Sequence, residues 1–203
     1  MEKPEIDIVW LKRDLRLHDH PPLEAAAKGG RPLLLLYCFE PGLLRHADYS
    51  DRHWRFVWQS LQCMESRLPG TLLIAHREVL PLFQDLCTYY QVRNIYSHEE
   101  IGVKATFDRD IACAKWFKEL GINWQEVPFS GVQRGRPNRE GWREQWYDYI
   151  ESPVPSFPAD KLRLIELPEA LQKMLAGPPL PKAYQEPDAT FQPGGERNAW
   201  RYL

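Results

Sequence analysis

The stretch Ile8-Val9-Trp10-Leu11-Lys12-Arg13-Asp14-Leu15-Arg16-Leu17-His18-Asp19-His20-Pro21-Pro22-Leu23 decides the fold. It begins as an apolar run, turns into alternating charges, and meets a proline pair that leads into Leu23-Glu24-Ala25-Ala26-Ala27-Lys28. That is the order strand, loop, helix. Apolar residues at consecutive positions point to both faces of a strand, so this strand is buried between two layers, as in a parallel sheet. Pro21 suits the first helical position, where its missing N–H would be unpaired anyway. The loop then sits at the carboxyl end of the strand, the edge where open α/β sheets bind ligands. Arg13, Asp14, Arg16 and Asp19 are close enough to pair with one another. A self-neutralising salt-bridge loop and a ligand-binding loop are both open readings of them.

The same alternation continues down the chain. Residues 31–41 read as a second buried strand stopped by Pro41. Trp54, Val57, Trp58, Leu61, Met64 and Leu68 recur at three- and four-residue spacing and make 51–68 a long amphipathic helix. Residues 71–75 are a third strand, followed by a helix with Val79, Leu82, Phe83 and Leu86 inward. Residues 92–97 are a fourth strand, Phe107, Ile111, Ala114 and Phe117 pattern the next helix, and 122–127 are a fifth strand. Parallel neighbours need a covering crossover, so this pattern predicts an α/β fold: a doubly wound five-stranded parallel sheet with helices on both faces.

Beyond Phe129 the texture changes. Ser130 to Arg139 is basic and bears Gly and Pro, and a helix follows with Trp142, Trp146 and Tyr149 on one face. These aromatics are expected to pack onto the domain while the arginines stay solvated; stacking on nucleic acid is the alternative. Residues 153–192 are proline-rich and read as a linker with one short helix at 166–175.

Composition excludes several classes. A formal net charge of −2 offers no global attraction to nucleic acid, so any such contact needs a local basic face. No apolar run approaches the ~18 residues of a membrane span, and Met-Glu-Lys-Pro-Glu lacks the apolar core of a signal peptide. A cytoplasmic protein without a membrane partner is the expectation. Cys38, Cys63, Cys87 and Cys113 are widely spread with no C-x-x-C pair, which reads as buried reduced thiols rather than a metal site. There is no G-x-G-x-x-G after the first strand and no P-loop.

The opening stretch resembles the N-terminal signature of the DNA photolyase/cryptochrome family, W-F-R-R-D-L-R-L-x-D-N-P-A-L. Departures are Leu11 for Phe, Lys12 for Arg, and His20, a poorer helix cap, for Asn. Asp51 to Phe56, Glu78 to Leu82 and Phe107 to Asp110 are similar to further family landmarks. Pro193-Gly194-Gly195-Glu196-Arg197-Asn198-Ala199-Trp200-Arg201-Tyr202-Leu203 resembles P-G-G-E-x-x-A-x-x-R-L-x-x-Y-L, which opens the family's helical FAD-binding domain. The resemblance implies a Rossmann-like sheet ordered 3-2-1-4-5. It implies three segments: an antenna domain at 1–130, a peripheral helix and interdomain linker at 131–192, and a truncated start of the helical domain at 193–203.

In the family, FAD, the dimer-repair site and a tryptophan electron chain belong to the helical domain. The eight tryptophans of this chain are therefore not expected to form that chain, and no repair active site or catalytic residue is expected here. What the resemblance leaves for this domain is a light-harvesting antenna chromophore: methenyltetrahydrofolate, a deazaflavin or FMN. The parent protein would carry FAD and use blue or near-UV light to repair pyrimidine dimers in damaged DNA. Alternatives are the domain of a cryptochrome photoreceptor, or a stand-alone nucleotide-binding or interaction domain.

Position at the strand ends selects the candidate cofactor-binding residues: Arg13 and Asp14 after strand one, Cys38, Phe39 and Glu40 after strand two, and Arg52 opening the long helix. After strand four come His98, Glu99, Glu100 and Lys104, with Asp108 one turn on. Glu99 and Glu100 would accept hydrogen bonds from a ring or form a solvated loop. Arg52 would hold an anionic tail or pair with Asp48 or Asp51. Lys104 would add positive charge at a helix start or stay solvated. His98 would be a ring contact or a surface cap. His76, where the family has glycine, is expected to narrow the cleft.

Overall fold

The computed structural model describes residues 2–129, 131–154 and 156–202. Ser130 and Leu203, the expected ends of the first and last segments, lie outside the described residues. The chain opens with β1 (Glu5–Trp10), α1 (Pro21–Gly29), β2 (Pro32–Cys38), the short α2 (Pro41–Leu44) and the long α3 (Asp51–Glu65). It continues with β3 (Leu72–Ala75), α4 (Val79–Tyr89), β4 (Gln91–His98), α5 (Lys104–Leu120) and β5 (Asn123–Val127). All neighbouring strands are parallel, in the expected order β3-β2-β1-β4-β5.

Continuous apolar runs become two cores because successive side chains of a strand alternate between faces. Ile8 and Trp10 of β1 and Leu34 and Leu36 of β2 pack with Leu82 and Phe83 of α4 and Phe117 of α5. Val9, Leu33 and Leu35 take the opposite face with Leu23 of α1 and Trp54 and Leu61 of α3. His20 does cap α1: its Nδ1 accepts the Leu23 N–H at 3.2 Å, and Pro21 follows at the first helical position.

Expectations for the segment after β5 are corrected. Trp142, Trp146 and Tyr149 do lie on a helix, α6 (Trp142–Glu151), but none of its residues is buried. Trp142 and Trp146 stack on each other, ring centroids 6.1 Å apart, and Trp146 covers Gly131, so the aromatics satisfy one another instead of the sheet. Arg134 is not simply solvated; it bonds Glu126 at 2.8 Å and lies 3.3 Å from Glu99.

The sheet also has a sixth strand, β6 (Arg163–Leu164), paired with Pro32 and Leu33. It fits because β3 pairs only with Leu35 to Cys38, leaving the first residues of β2 with an open edge. The helix expected at 166–175 is α7 (Glu169–Ala176). Extended backbone runs on through Ile165, whose N–H bonds the Leu33 carbonyl at 3.0 Å, and Pro168 fixes the helix entry. Leu167 and Leu175 are buried against the α4 side of the core. α8 (Lys182–Gln185) lays Tyr184 against the α3 side, and α9 (Glu196–Ala199) closes the described chain.

Candidate functional site

The loop after β1 is built around Asp14. Its Oδ1 accepts the Lys12 N–H at 2.8 Å. Its Oδ2 lies 2.7 Å from His98 Nδ1 and 2.7 Å from His20 Nε2. All three side chains are buried. Because His20 Nδ1 accepts the Leu23 N–H, the His20 proton sits on Nε2, facing the carboxylate. Asp14, His20 and His98 bring three potential ligand atoms within 4.8 Å. A metal would need the lone pair that this tautomer lacks, so the chemistry fits a hydrogen-bonded cluster. Burial alone would raise the Asp14 carboxyl, but the two imidazoles hold it well below the usual aspartate range.

Above this cluster, at the carboxyl ends of β1 and β2, opens a cleft of about 920 Å³. Its walls are largely aromatic, with Trp10, Tyr37, Tyr49 and Trp54 contributed by the strands, the following loop and α3. Arg109 of α5 forms its floor. The guanidinium donates to Glu40 Oε1 at 2.5 Å, Glu100 Oε2 at 2.8 Å and Asp110 Oδ1 at 2.9 Å, and it lies 4.8 Å from the Trp10 ring centroid. Lys12 adds a second cation, bonded to Asp110 at 2.7 Å and 4.4 Å from the same ring.

Charge environment separates the two floor glutamates. Burial pushes Glu40 up, outweighing Arg109. For Glu100 burial is overcome by Arg109, Lys12 and Arg13, and the carboxyl is lowered. Arg13 stands at the mouth, half-exposed, with Nη2 bonded to the Tyr49 hydroxyl at 2.9 Å and Nε 3.4 Å from Glu100. The cleft therefore offers flat apolar walls, carboxylate acceptors below and guanidinium donors at the rim, a combination suited to a planar heteroaromatic ring with an anionic extension.

Of the expected site residues, Arg13, Cys38, Glu40, Arg52 and Glu100 line this cleft. Others do not. Phe39 is fully buried against Tyr37 and Trp54, because the last apolar residue of the β2 run turns into the core. Asp14 and His98 lie in the buried cluster that supports the loop. Glu99 is drawn away by Arg134. Lys104 and Asp108 pair with each other on an exposed turn of α5. His76 turns toward α7, its N–H bonding the Ala176 carbonyl at 2.7 Å and its ring 3.3 Å from the Pro179 carbonyl, so it does not narrow the cleft.

Arg109, Lys12, Trp10 and Tyr49 were not among the expected site residues, and neither was the segment around Phe191 and Trp200 that forms the outer wall. A signal for Arg109 existed. Thr106, Asp110, Cys113 and Phe117 are the buried positions of α5, and Arg109 lies three residues after Thr106 and four before Cys113, on the edge of that face.

Residues 7–131 match the family model described as DNA photolyase. The chain is 30% identical to cryptochrome-2 of Gallus gallus over 119 residues, 56% of this chain and 20% of that protein. It is 27% identical to a deoxyribodipyrimidine photo-lyase of Synechococcus sp. over 176 residues, 81% of this chain and 36% of that protein. It therefore spans only a fifth to about a third of these relatives. Among solved structures it is similar to an archaeal photolyase from Sulfolobus tokodaii. That structure is described as holding two FAD molecules, with the implication of a novel light-harvesting cofactor, and the match has a TM-score of 0.70 at 17% identity, covering 97% of this chain and 45% of that one.

Proposed function

Because this chain belongs to the DNA photolyase family, we propose that its cleft holds a light-harvesting chromophore of the class methenyltetrahydrofolate, deazaflavin or FMN. The observation that carries the reading is the aromatic cleft over the Arg109–Glu40–Glu100 floor, at the carboxyl ends of β1 and β2. Tyr49 and Trp54 would wall the ring on one side, Glu100 would accept from its N–H groups, and Arg13 and Arg52 would hold an anionic tail. When bound, such a group would absorb light and pass the excitation to FAD. In the whole protein we place FAD in a helical domain beyond residue 192, after an antenna domain at 1–130 and a connecting segment at 131–192. Repair of pyrimidine dimers in DNA is the activity proposed for that whole protein. The 30% identity to a cryptochrome favours, as a second reading, a photoreceptor built on the same antenna domain. Among the described residues no helix is long and apolar enough to cross a membrane.

Titration of the protein with each of the three chromophores, followed by absorbance and fluorescence, tests the antenna reading. Saturable binding of one is expected. Arg13→Ala and Arg52→Ala should each weaken it about tenfold, the worth of one charge-assisted contact, whereas Lys104→Ala on the exposed turn of α5 should leave it unchanged. Absence of saturable binding by all three would overturn the reading.

A further inference from the structure

The outer wall of the cleft is a segment that sequence reading assigns to a different domain. Residues 193–196 are seated on α3 by polar contacts. The Gly194 N–H donates to Gln59 Oε1 at 2.7 Å and the Gly195 N–H to Ser60 Oγ at 3.0 Å. A Cβ on Gly194 would collide with the Phe56 carbonyl oxygen, and Gly195 has φ +102°. Both positions therefore need glycine, one for close approach and one for backbone conformation.

Glu196 reaches across from this segment to the other side of the cleft. It accepts the Leu17 N–H at 3.3 Å and the His18 N–H at 3.0 Å, and Arg67 of the 66–70 turn bonds it at 2.8 Å. Leu17 and His18 belong to the loop that carries Arg13 and Arg16 to the rim. Two aromatic contacts complete the closure. Phe191 lies 5.6 Å from the Arg52 guanidinium and Trp200 lies 5.7 Å from the His18 ring. Phe191, Glu196 and Trp200 all face the cleft.

We propose that residues 191–200 are a strap latched by Glu196, and that docking of the strap and occupancy of the cleft are coupled. The coupling part rests on the antenna reading; the latch does not. A ligand held between the α3 wall and the strap gains contacts only while the strap is docked, so its binding free energy favours the docked state. By reciprocity the docked strap raises ligand affinity by the same factor. The chain downstream of the strap would thereby report whether the chromophore is present.

Hydrogen exchange read residue by residue on the whole chain tests the latch without any ligand. In Glu196→Ala the Leu17, His18, Gly194 and Gly195 amides should exchange faster together, by about tenfold or more, while Val9 and Leu35 in the sheet keep their rates. Gly194→Ala, which displaces the strap from α3 and leaves Glu196 intact, should produce the same set of faster amides. If Leu17 and His18 alone speed up, the strap is not latched and the proposal is overturned.

Titration of wild type and Glu196→Ala with methenyltetrahydrofolate, a deazaflavin and FMN then reads the coupling. About tenfold weaker binding in the variant, with slower Gly194 and Gly195 exchange on saturating the wild type, supports it. Equal affinity in both proteins overturns it. Should the wild type bind none of the three, the antenna reading fails, and the exchange results alone decide the strap: joint release of the four amides upholds it and separate release overturns it.

Discussion

Arg109→Met is expected to destabilise the protein by about 3–5 kcal/mol at pH 7, measured by urea denaturation, because it leaves buried carboxylates without their counter-ion. Three acids, Glu40, Glu100 and Asp110, converge on this one guanidinium. Methionine fills the volume but donates nothing. Lys12 and Arg13 remain beside Asp110 and Glu100, but Glu40 has no other salt-bridge partner among the described residues. A domain stable by roughly 5–15 kcal/mol stays folded but loses a large share of its margin. The loss should shrink as the pH falls. Burial already raises Glu40 with Arg109 present, and without the guanidinium its folded value rises further above the unfolded one. A carboxyl raised on folding contributes its stability below the unfolded pKa, about 4.3, and loses it as the pH climbs through the folded value. The variant should therefore come closer to wild type at pH 5 than at pH 7. Arg109→Lys keeps the charge but not the three-pronged geometry, and it should cost less at both pH values. A methionine variant as stable as wild type at pH 7 would mean that the three carboxyls do not need the cation.

The contrast between what sequence showed and what it hid follows from how each feature is encoded. β1 and β2 were legible because a parallel strand buried on both faces is apolar at every position, and Ile8-Val9-Trp10-Leu11 and Leu33-Leu34-Leu35-Leu36 are such runs. The long helix was legible from the spacing of Trp54, Leu61 and Met64, three of its four buried residues. Arg109 was hidden because its partner Glu40 lies 69 positions away, and Phe107-Asp108-Arg109-Asp110 has the polarity of a solvated turn. Neighbours in that turn meet opposite fates: Asp108 is exposed beside Lys104 while Asp110 is buried against Lys12. Periodicity cannot separate them when the face in question is ionic. β6 has two residues, too short for alternation to register. The strap escaped notice for another reason: Pro193-Gly194-Gly195-Glu196 resembles the start of another domain, and only the folded chain brings its carboxylate against the Leu17 and His18 amides.

The second large effect is expected at Asp14. Asp14→Asn preserves shape and one acceptor, yet it should cost about 3 kcal/mol at pH 7. The side chain accepts the Lys12 N–H on one oxygen and the His98 ring on the other, with His20 Nε2 also 2.7 Å from that second oxygen. Asparagine offers one oxygen and one NH2. Whichever way it is turned, its NH2 faces either the Lys12 N–H or the His20 Nε2–H in a buried site. The pH dependence identifies the cause. With its folded pKa well below 3.8, Asp14 is a group lowered on folding. Its stability is present above the unfolded value of about 3.9 and is lost only as the pH falls through the folded one. The gap between wild type and variant, followed by denaturation from pH 7 to pH 2.5, should stay wide to about pH 4 and narrow only below it. A gap constant over that whole range would show that the carboxylate's charge is not what holds the loop. Arg13 and Arg16 ride on this loop, so loosening it should weaken chromophore binding even though Asp14 itself does not line the cleft. Loss of affinity at a position buried beneath the site is how a positioning residue differs from a contact residue. Arg13→Ala should lower affinity with little change in stability, and Asp14→Asn should lower both.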